Sequence, residues 1–315
     1  MHFKHILQEV KRTLAFEYDE KRQNDSAYQS ESQLEEQFIQ DLIHLGYERL
    51  FINDLEGLKQ NIRKEIERLN DFKFTNSEWE RFLNEYLLNK TDNYKDKTEK
   101  VQLNEIYELC LDNGSFKNIR ILDKNNVHNN KLQVVNQVEN NNGPYENRYD
   151  VTILVNGLPL IHIELKRRGV SLEEAFNQID RYWNTSFQRS GGIFDYVQLF
   201  VISNGTQTRY YSNTTREQSI NEKHNNNKTK TSHSYEFTSY WADAKNNIIS
   251  DLTDFTQTFF VKHVIYKILF NYCIWTKNKN LLVMRPYQIA ATEEIIWKTA
   301  SILNQPSIIG KTTKW

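Results

Sequence analysis

The chain is 315 residues long with 38% apolar content, which is enough to bury the core of one large domain or of two. Its 40 Lys and Arg nearly balance its 41 Asp and Glu, which excludes a global positive field for nucleic acid and leaves only local basic surfaces. Cys110 and Cys273 form neither a disulfide framework nor a CxxC metal pair. The charged amino terminus and the lack of a run of roughly 18 apolar residues argue against secretion and membrane insertion. We therefore expect a cytoplasmic globular protein.

Three helices are predicted before the first strand. Apolar residues recur at helical spacing over residues 32–45, with a capping box between Ser32 and Glu35 and a stop signal at Gly46. Residues 54–88 alternate charged and apolar side chains, which predicts two further helices with solvated faces. The segment NKTDNYKDKTEK that follows is predicted to be a polar linker.

The remainder of the chain is predicted to alternate strands and helices. Strand-like runs occur at KNIRILDK, KLQVVNQV, RYDVTILV, PLIHIEL and YVQLFVISNG. Between the last two, SLEEAFNQIDRYWN begins with a capping box from Ser171 to Glu174 and carries an apolar helical stripe. A helical pattern returns from about Asp251. These patterns predict an α/β core, with a domain boundary near residue 260.

The segment RYDVTILVNGLPLIHIELK predicts a β-hairpin that turns at its Asn-Gly dipeptide. A three-residue loop at 156–158 separates an apolar face from a face that carries the charged residues, whereas a two-residue loop mixes the two faces, so we predict three. In this register Asp150 lies opposite Glu164, and Lys166 projects from the same face. The hairpin is therefore expected to bring two carboxylates and an ammonium together.

This arrangement suits phosphodiester hydrolysis. Adjacent carboxylates repel unless a cation lies between them, and a hard divalent ion such as Mg²⁺ takes oxygen ligands of this kind. The Lys166 ammonium could then orient or deprotonate a water, or stabilise charge on a phosphate. The alternative is a structural ion pair, because Glu-x-Lys or Asp-x-Lys occurs five times in the chain. Only at Glu164 does the tripeptide end a strongly apolar strand that is preceded by a strand beginning with Asp.

The spacing resembles the PD-(D/E)xK nuclease motif: Asp150, thirteen intervening residues, then Glu164 and Lys166, with Tyr149 at the variable first position. Gln178 and Tyr182 lie four residues apart on the following helix and so share a face, which resembles the QxxxY element of the RecB-like branch. An isolated Gln-x-x-x-Tyr is otherwise a solvated helix face.

Residues 30–210 resemble the amino-terminal endonuclease domain of the restriction (HsdR) subunit of type I restriction enzymes. The resemblance implies a restriction-endonuclease-like fold, a mixed sheet flanked by helices with extra helices, over an endonuclease domain at 1–260. It also implies that Asp150 and Glu164 hold Mg²⁺ with Lys166 as the catalytic lysine, and that Gln178 and Tyr182 position DNA or support the site. Glu35 matches the acidic residue that this fold often contributes from its first helix, with Glu31 and Glu36 as competitors.

Three further side chains near the motif have two interpretations each. His162 shares the acidic face, as a partner of the carboxylates or as a structural histidine. Arg167 and Arg168 are candidates for phosphate contacts, and because adjacent strand positions point oppositely we expect only one of them to act so.

The segment LLVMRPYQIAATEEII resembles the Q motif that opens superfamily 2 helicase motors. We assign residues 261–315 to the beginning of such a motor domain. The resemblance implies that Gln288 reads adenine while Arg285 and Tyr287 shape the pocket; the alternative is an ordinary helix start at Pro286. Gly-Lys-Thr at 310–312 lacks the first glycine of a phosphate loop. We therefore expect a truncated motor that neither hydrolyses ATP nor translocates DNA.

The leading hypothesis is a Mg²⁺-dependent endonuclease domain that cuts double-stranded DNA after translocation stalls in the whole subunit. The resemblance implies modification and specificity subunits as partners, ATP as the cofactor of the full-length motor, and AdoMet as that of the modification subunit. The alternatives are a catalytically idle relic that binds DNA or a partner, and a repair or recombination nuclease of the same fold.

Overall fold

The computed structural model of the chain describes residues 13–14, 29–140, 147–182, 192–215 and 237–303. A mixed sheet flanked by helices forms the centre, as expected for the restriction-endonuclease-like α/β class. The helices are α1 (Glu31–His44), α2 (Leu55–Asn70), α3 (Asn76–Phe82), α4 (Tyr94–Gln102), α5 (Leu172–Tyr182), α6 (Leu252–Phe259), α7 (Lys262–Asn271) and α8 (Pro286–Leu303). The strands are β1 (Glu48–Arg49), β2 (Ile106–Cys110), β3 (Phe116–Arg120), β4 (Leu132–Asn140), β5 (Asn147–Val155), β6 (Leu158–Leu165), β7 (Leu199–Ser203), β8 (Thr208–Ser212), β9 (Trp241–Ala242), β10 (Ile248–Ile249), β11 (Cys273–Trp275) and β12 (Leu281–Val283).

The main sheet has six strands in the order β1-β4-β5-β6-β7-β8. The pairs β1/β4 and β6/β7 are parallel, and the other neighbours are antiparallel. The parallel pair β6/β7 requires a crossover, which α5 supplies. The predicted hairpin β5/β6 therefore occupies the middle of the sheet, and every residue of β6 is buried, because both faces are covered.

The hairpin has the predicted register at its charged end and a different turn. Val151 pairs with Ile163, as predicted, but Val155 pairs with Leu158, so the loop has two residues rather than the predicted three. A register shift between Ile153 and Leu154, a β-bulge, restores the face assignment that a two-residue loop would otherwise mix. The prediction that the apolar and charged faces stay separate is therefore confirmed, but a bulge achieves this and not a third loop residue.

Both turn residues have positive φ, 50° at Asn156 and 81° at Gly157, as a tight type I′ hairpin turn requires. The Asn156 side chain is buried, and its amide donates to the Ile121 carbonyl at 3.1 Å and accepts from the Lys131 N–H at 2.9 Å. The turn is also close to α2, since a Cβ on Gly157 would lie 2.7 Å from Cα of Ile62.

The caps of α1 and α5 differ from the predicted capping boxes. The N-cap of α1 is Ser30, whose hydroxyl accepts from the Gln33 N–H while the Gln33 side chain accepts from the Ser30 N–H, so Ser32 and Glu35 lie inside the helix. Two overlapping Ser-x-x-Glu/Gln patterns fit this segment, and sequence spacing does not choose between them. At α5 the Ser171 hydroxyl accepts from the Glu173 N–H instead of from Glu174.

The segment predicted to be a polar linker contains helix α4, and that prediction is wrong. Asn93 caps it with Asp96 in a capping box. Its buried face consists of Tyr94, Lys97, Thr98 and Val101. Two of these residues are polar, so the apolar residues alone do not show a helical period. The burial of Lys97 is compensated by a hydrogen bond from its Nζ to the Gly192 carbonyl at 2.6 Å.

The segments after residue 260 pack against the same core as the sheet. Residues of α7, β12 and α8, such as Ile265, Leu281 and Ile289, belong to one buried cluster with the strands. The predicted boundary near 260 falls between α6 and α7, and it stays a prediction. Cys110 and Cys273 are free thiols. Among the described residues, no helix is long and apolar enough to cross a membrane.

We expect Gly157→Ala to lower the free energy of unfolding by roughly 3 kcal/mol, because an alanine there adds a strained positive φ and a clash with the α2 backbone. Denaturant unfolding measures the loss.

Gly114→Ala is the matched control. Gly114 has nearly the same φ, 80°, but its Cβ would meet nothing within 4 Å, so it isolates the backbone strain, about 1–2 kcal/mol. Equal losses in the two variants would show that the turn does not depend on the close approach to α2.

Candidate active site

The carboxylates of Asp150 and Glu164 lie at the charged end of the hairpin, on the two central strands. The pairing of β5 with β6 extends to Val151 and Ile163. Just beyond this pairing, the backbone N–H of Leu165 donates to Oδ2 of Asp150 at 2.9 Å. The carboxylate thus takes the place of the backbone carbonyl that would accept this bond in a continued strand pair. This bond fixes the Asp150 carboxylate across the opening of the hairpin. We call Asp150 and Glu164 the carboxylate pair.

The carboxylate pair is buried. Asp150 is 8% exposed and Glu164 is 0% exposed. Burial, followed by repulsion from Glu164, raises the pKa of Asp150 to about 7. Burial likewise raises the pKa of Glu164 to about 7, against the opposing effect of Lys166. Two such carboxyls next to each other favour a shared proton or a cation.

Lys166 completes the site from the position directly after the end of β6. Its Nζ donates to Oε1 of Glu164 at 3.1 Å, to the Leu165 carbonyl at 3.0 Å and to Oε1 of Glu31 at 3.3 Å. Burial lowers the pKa of Lys166, but Glu164, Asp150 and Glu31 together raise it above its ordinary value. The side chain, 11% exposed, is therefore held as a cation in a mostly buried position.

Helix α1 contributes Glu31 to this cluster, which the sequence offered only as a competitor of Glu35. Glu31 lies in the first turn of α1, and its side chain is 44% exposed. It is the most open of the charged groups that contact Lys166. The sequence favoured Glu35 over Glu31, because spacing does not show which turn of α1 lies nearest to Lys166.

Glu35 lies elsewhere than at the lysine. Its Oε1 accepts from the Asn136 amide at 2.7 Å, and its Oε2 accepts from the Gln137 amide at 2.5 Å. Gln137 has a φ of 56°, so Glu35 binds an irregular part of β4. Glu36, the other competitor, pairs with Arg49 at 2.8 Å on the surface.

His162 lies on the same buried face, two residues before Glu164. Its Nε2 is 3.4 Å from Oε2 of Glu164, and its Nδ1 is 3.4 Å from Oγ1 of Thr152. Burial lowers the pKa of His162 to about 4, so the imidazole is neutral near pH 7. The ring therefore lies between Thr152 of β5 and Glu164 of the carboxylate pair.

The QxxxY residues lie on α5, which follows the site. Gln178 is half-buried on this helix. Tyr182 is the last residue of α5, and its side chain is outside the described part of the chain. Their roles stay predictions.

The two arginines after Lys166 differ in their surroundings. Arg167 is exposed. Arg168 is half-buried and contacts Oγ1 of Thr206 at 3.3 Å and Oδ2 of Asp251 at 3.6 Å. Arg167 is thus the more accessible candidate for a phosphate contact.

The Q-motif-like residues begin α8. Arg285, Tyr287 and Gln288 are exposed, and Oε1 of Gln288 accepts from the Arg285 N–H at 2.9 Å. The helix starts at Pro286, as the alternative interpretation states. Residues 310–312 lie outside the described residues, and nucleotide binding here stays a prediction.

The donor set fits a magnesium ion. Among the described residues, no group of three or more His, Cys, Asp or Glu side chains is arranged to hold a metal. Mg²⁺ commonly takes one or two protein carboxylates and completes its shell with water and phosphate oxygens, so the carboxylate pair alone is a sufficient protein contribution.

We expect Asp150→Asn to stabilise the chain by roughly 1–3 kcal/mol at pH 8. The folded-state pKa of Asp150 is raised from 3.8 to about 7, so the folded state binds more protons between these values and stability falls as pH rises through that window. Asparagine removes this loss and still accepts from Leu165. Thermal unfolding from pH 4 to pH 8 measures the gain, which should vanish at pH 4.

Glu36→Gln is the control of opposite sign. Its bond to Arg49 lowers the pKa of Glu36, so this carboxylate adds a little stability above pH 4.5 that is lost as pH falls. A gain in both variants would refute the electrostatic explanation.

Comparison with known proteins identifies relatives. A family model described as Type I restriction enzyme R protein N terminus matches residues 28–219. The chain is 44% identical over 290 residues to the Type I restriction enzyme EcoprrI endonuclease subunit of Escherichia coli, covering 92% of this chain and 88% of that protein. It is 37% identical over 276 residues to the Type I restriction enzyme SauMSSORF170P endonuclease subunit of Staphylococcus aureus, covering 86% of this chain and 27% of that protein.

A Staphylococcus saprophyticus subunit, SsaAORF53P, matches with 37% identity over 283 residues, 88% of this chain and 28% of that protein. The chain thus spans most of the Escherichia coli relative and about a quarter of the staphylococcal ones. The family match covers more than half of the chain and includes the carboxylate pair, Lys166 and α5. This chain therefore belongs to the family of type I restriction enzyme R protein N termini, whose relatives include type I restriction endonuclease subunits.

Proposed function

We propose that this chain is a Mg²⁺-dependent endonuclease domain that hydrolyses phosphodiester bonds of double-stranded DNA. The observation that carries the proposal is the burial of Asp150 and Glu164 side by side with the Lys166 ammonium 3.1 Å from Glu164. A purely structural pair would not place two like charges together at a cost to stability. The names of the relatives, type I endonuclease subunits, support the same reaction class.

Asp150 and Glu164 would hold the metal ion. When bound, the ion polarises the scissile phosphate and lowers the pKa of a water. The protein supplies the fixed geometry: the Leu165 N–H orients Asp150, and Lys166 orients Glu164. Both carboxyls are raised in pKa, so a cation competes with protons for this site and binds better as pH rises toward 8.

Lys166 stabilises charge during hydrolysis. The water gives up a proton to solvent as its oxygen forms a bond to phosphorus, the bond from phosphorus to the leaving sugar oxygen breaks, and that oxygen takes up a proton from solvent. Negative charge accumulates on the phosphate oxygens in the transition state. Because nearby carboxylates raise the pKa of Lys166, its cationic form is favoured, which suits charge stabilisation better than deprotonation of water.

Supporting roles are assigned by position. Glu31 contacts Lys166 and restrains it, and Glu35 supports the site indirectly by holding Asn136 and Gln137 of β4. Gln178 and Tyr182 on α5 would position DNA beside the site.

The whole type I assembly supplies the rest of the reaction. We propose that double-stranded DNA and the modification and specificity subunits are the partners. We further propose that ATP serves the motor of the full-length subunit, and that Arg285, Tyr287 and Gln288 of this chain belong to the start of that motor. AdoMet would serve the modification subunit. A DNA substrate of this kind places the chain in the cytoplasm.

We expect Mn²⁺ to bind the chain in calorimetric titrations with a short DNA duplex at pH 8, and Asp150→Ala and Glu164→Ala to weaken that binding by about tenfold or more. Each substitution removes one of two protein ligands. Circular dichroism verifies folding.

Glu36→Ala removes a surface carboxylate and should leave the affinity unchanged. Identical titrations of the parent and both site variants would mean that the carboxylate pair is no metal site.

Nicking of supercoiled plasmid tests the chemistry. We expect Lys166→Ala to lower the Mn²⁺-supported rate by about a thousandfold even at saturating Mn²⁺, because the substitution removes the cation that stabilises charge in the transition state as well as one contact to Glu164. Lys95→Ala, an exchange in α4 outside the site, is the matched control. Unchanged nicking by Lys166→Ala would remove the lysine from the mechanism.

A further inference from the structure

The His162 imidazole is enclosed next to the carboxylate pair. It is 0% exposed, and both ring nitrogens have polar neighbours: Nε2 lies 3.4 Å from Oε2 of Glu164 and Nδ1 lies 3.4 Å from Oγ1 of Thr152. The ring thus links the second strand of the hairpin to the first and reaches one oxygen of a proposed metal ligand.

Strand register and packing fix the orientation of this ring. Thr152 and Phe200 are the residues paired with His162 on the two neighbouring strands. The imidazole meets Tyr149 edge to face at 5.5 Å between ring centroids, and it meets Phe200 in the same way at 6.2 Å. A ring held by three strands has little freedom to rotate, so its nitrogens stay aimed at Thr152 and Glu164.

Glu164 is consequently held from both ends. Lys166 contacts Oε1 at 3.1 Å, and His162 contacts Oε2 at 3.4 Å. The His162 contact is long for a hydrogen bond, and such contacts in sites without substrate tighten when the complex forms. An apolar residue at 162 would leave Oε2 of Glu164 without this neighbour and the carboxylate free to turn away from Asp150.

We propose that His162 is a positioning residue that orients the Glu164 carboxylate for divalent-metal binding. This inference rests on the proposed function, since it presumes that Glu164 is a metal ligand. Outer groups that bind metal ligands typically contribute tenfold to a hundredfold to metal affinity. The competing explanation is a histidine that only fills space in the core, and the two explanations predict different behaviour of matched variants.

The test is a calorimetric titration of Mn²⁺ into the complete chain at pH 8 for three variants. His162→Leu removes both ring contacts, and we expect it to weaken Mn²⁺ binding by about tenfold to a hundredfold. His162→Gln keeps a side-chain amide that can bind Glu164, and we expect it to recover most of the lost affinity. Phe200→Leu loosens the packing of the same ring but leaves the contact between His162 and Glu164 in place, and it should weaken Mn²⁺ binding less than His162→Leu does.

The outcomes separate the two levels of the argument. Weak binding by His162→Leu, rescued by His162→Gln, supports the positioning role, with thermal unfolding showing that each variant folds. Parental affinity in His162→Leu, or equal losses in all three variants, overturns the positioning role and leaves the proposed function intact. Absence of Mn²⁺ binding by the parent overturns the proposed function and this inference together.

Discussion

The burial of two carboxylates side by side in the middle of a sheet is the constraint on which the rest of the structure depends. Asp150 and Glu164 repel each other in a medium that solvates charge poorly, and both pKa values rise to about 7 as a result. Such a pair lowers stability at neutral pH unless it holds a proton or a cation. The fold must therefore contribute the missing stability elsewhere, and the site gains affinity for whatever cation relieves the repulsion.

The surrounding fold holds the pair in place through its two central strands. A tight turn at Asn156 and Gly157 joins them, and the turn is locked by the buried Asn156 amide and by its close approach to α2. Strands β4 and β7 flank them, and α1 and α5 contact β6. The segments after residue 260 enlarge the same core. Because the neighbours of the hairpin are packed, the backbones that carry the two carboxylates stay close together.

Sequence reasoning brought Asp150, Glu164 and Lys166 together correctly because side-chain alternation on strands is rigid. Side chains alternate between the two faces of a strand, so keeping the apolar residues on one face places Asp150, Glu164 and Lys166 together on the other. Sequence reasoning did not reveal how the faces stay sorted, since a bulge leaves no mark in the hydrophobic pattern. It also missed α4, where buried Lys97 and Thr98 break the apolar periodicity. On α1 it favoured Glu35 over Glu31, because the contact from Glu31 to Lys166 depends on the path of the helix rather than on spacing.

The carboxylates and the lysine of the site favour different protonation changes near neutral pH. The pair binds protons near neutral pH and would exchange them for the proposed cation, whereas Lys166 is stabilised in its charged form by the same negative charges. Each group thus sets the state of the other: bound metal would withdraw charge from Glu164 and weaken its hold on the lysine. Glu31, half-exposed at the mouth of the site, would then be the remaining anion on Lys166. Under the proposed function, a phosphate of the substrate would compete with Glu31 for Lys166 and so would free the lysine for transition-state stabilisation.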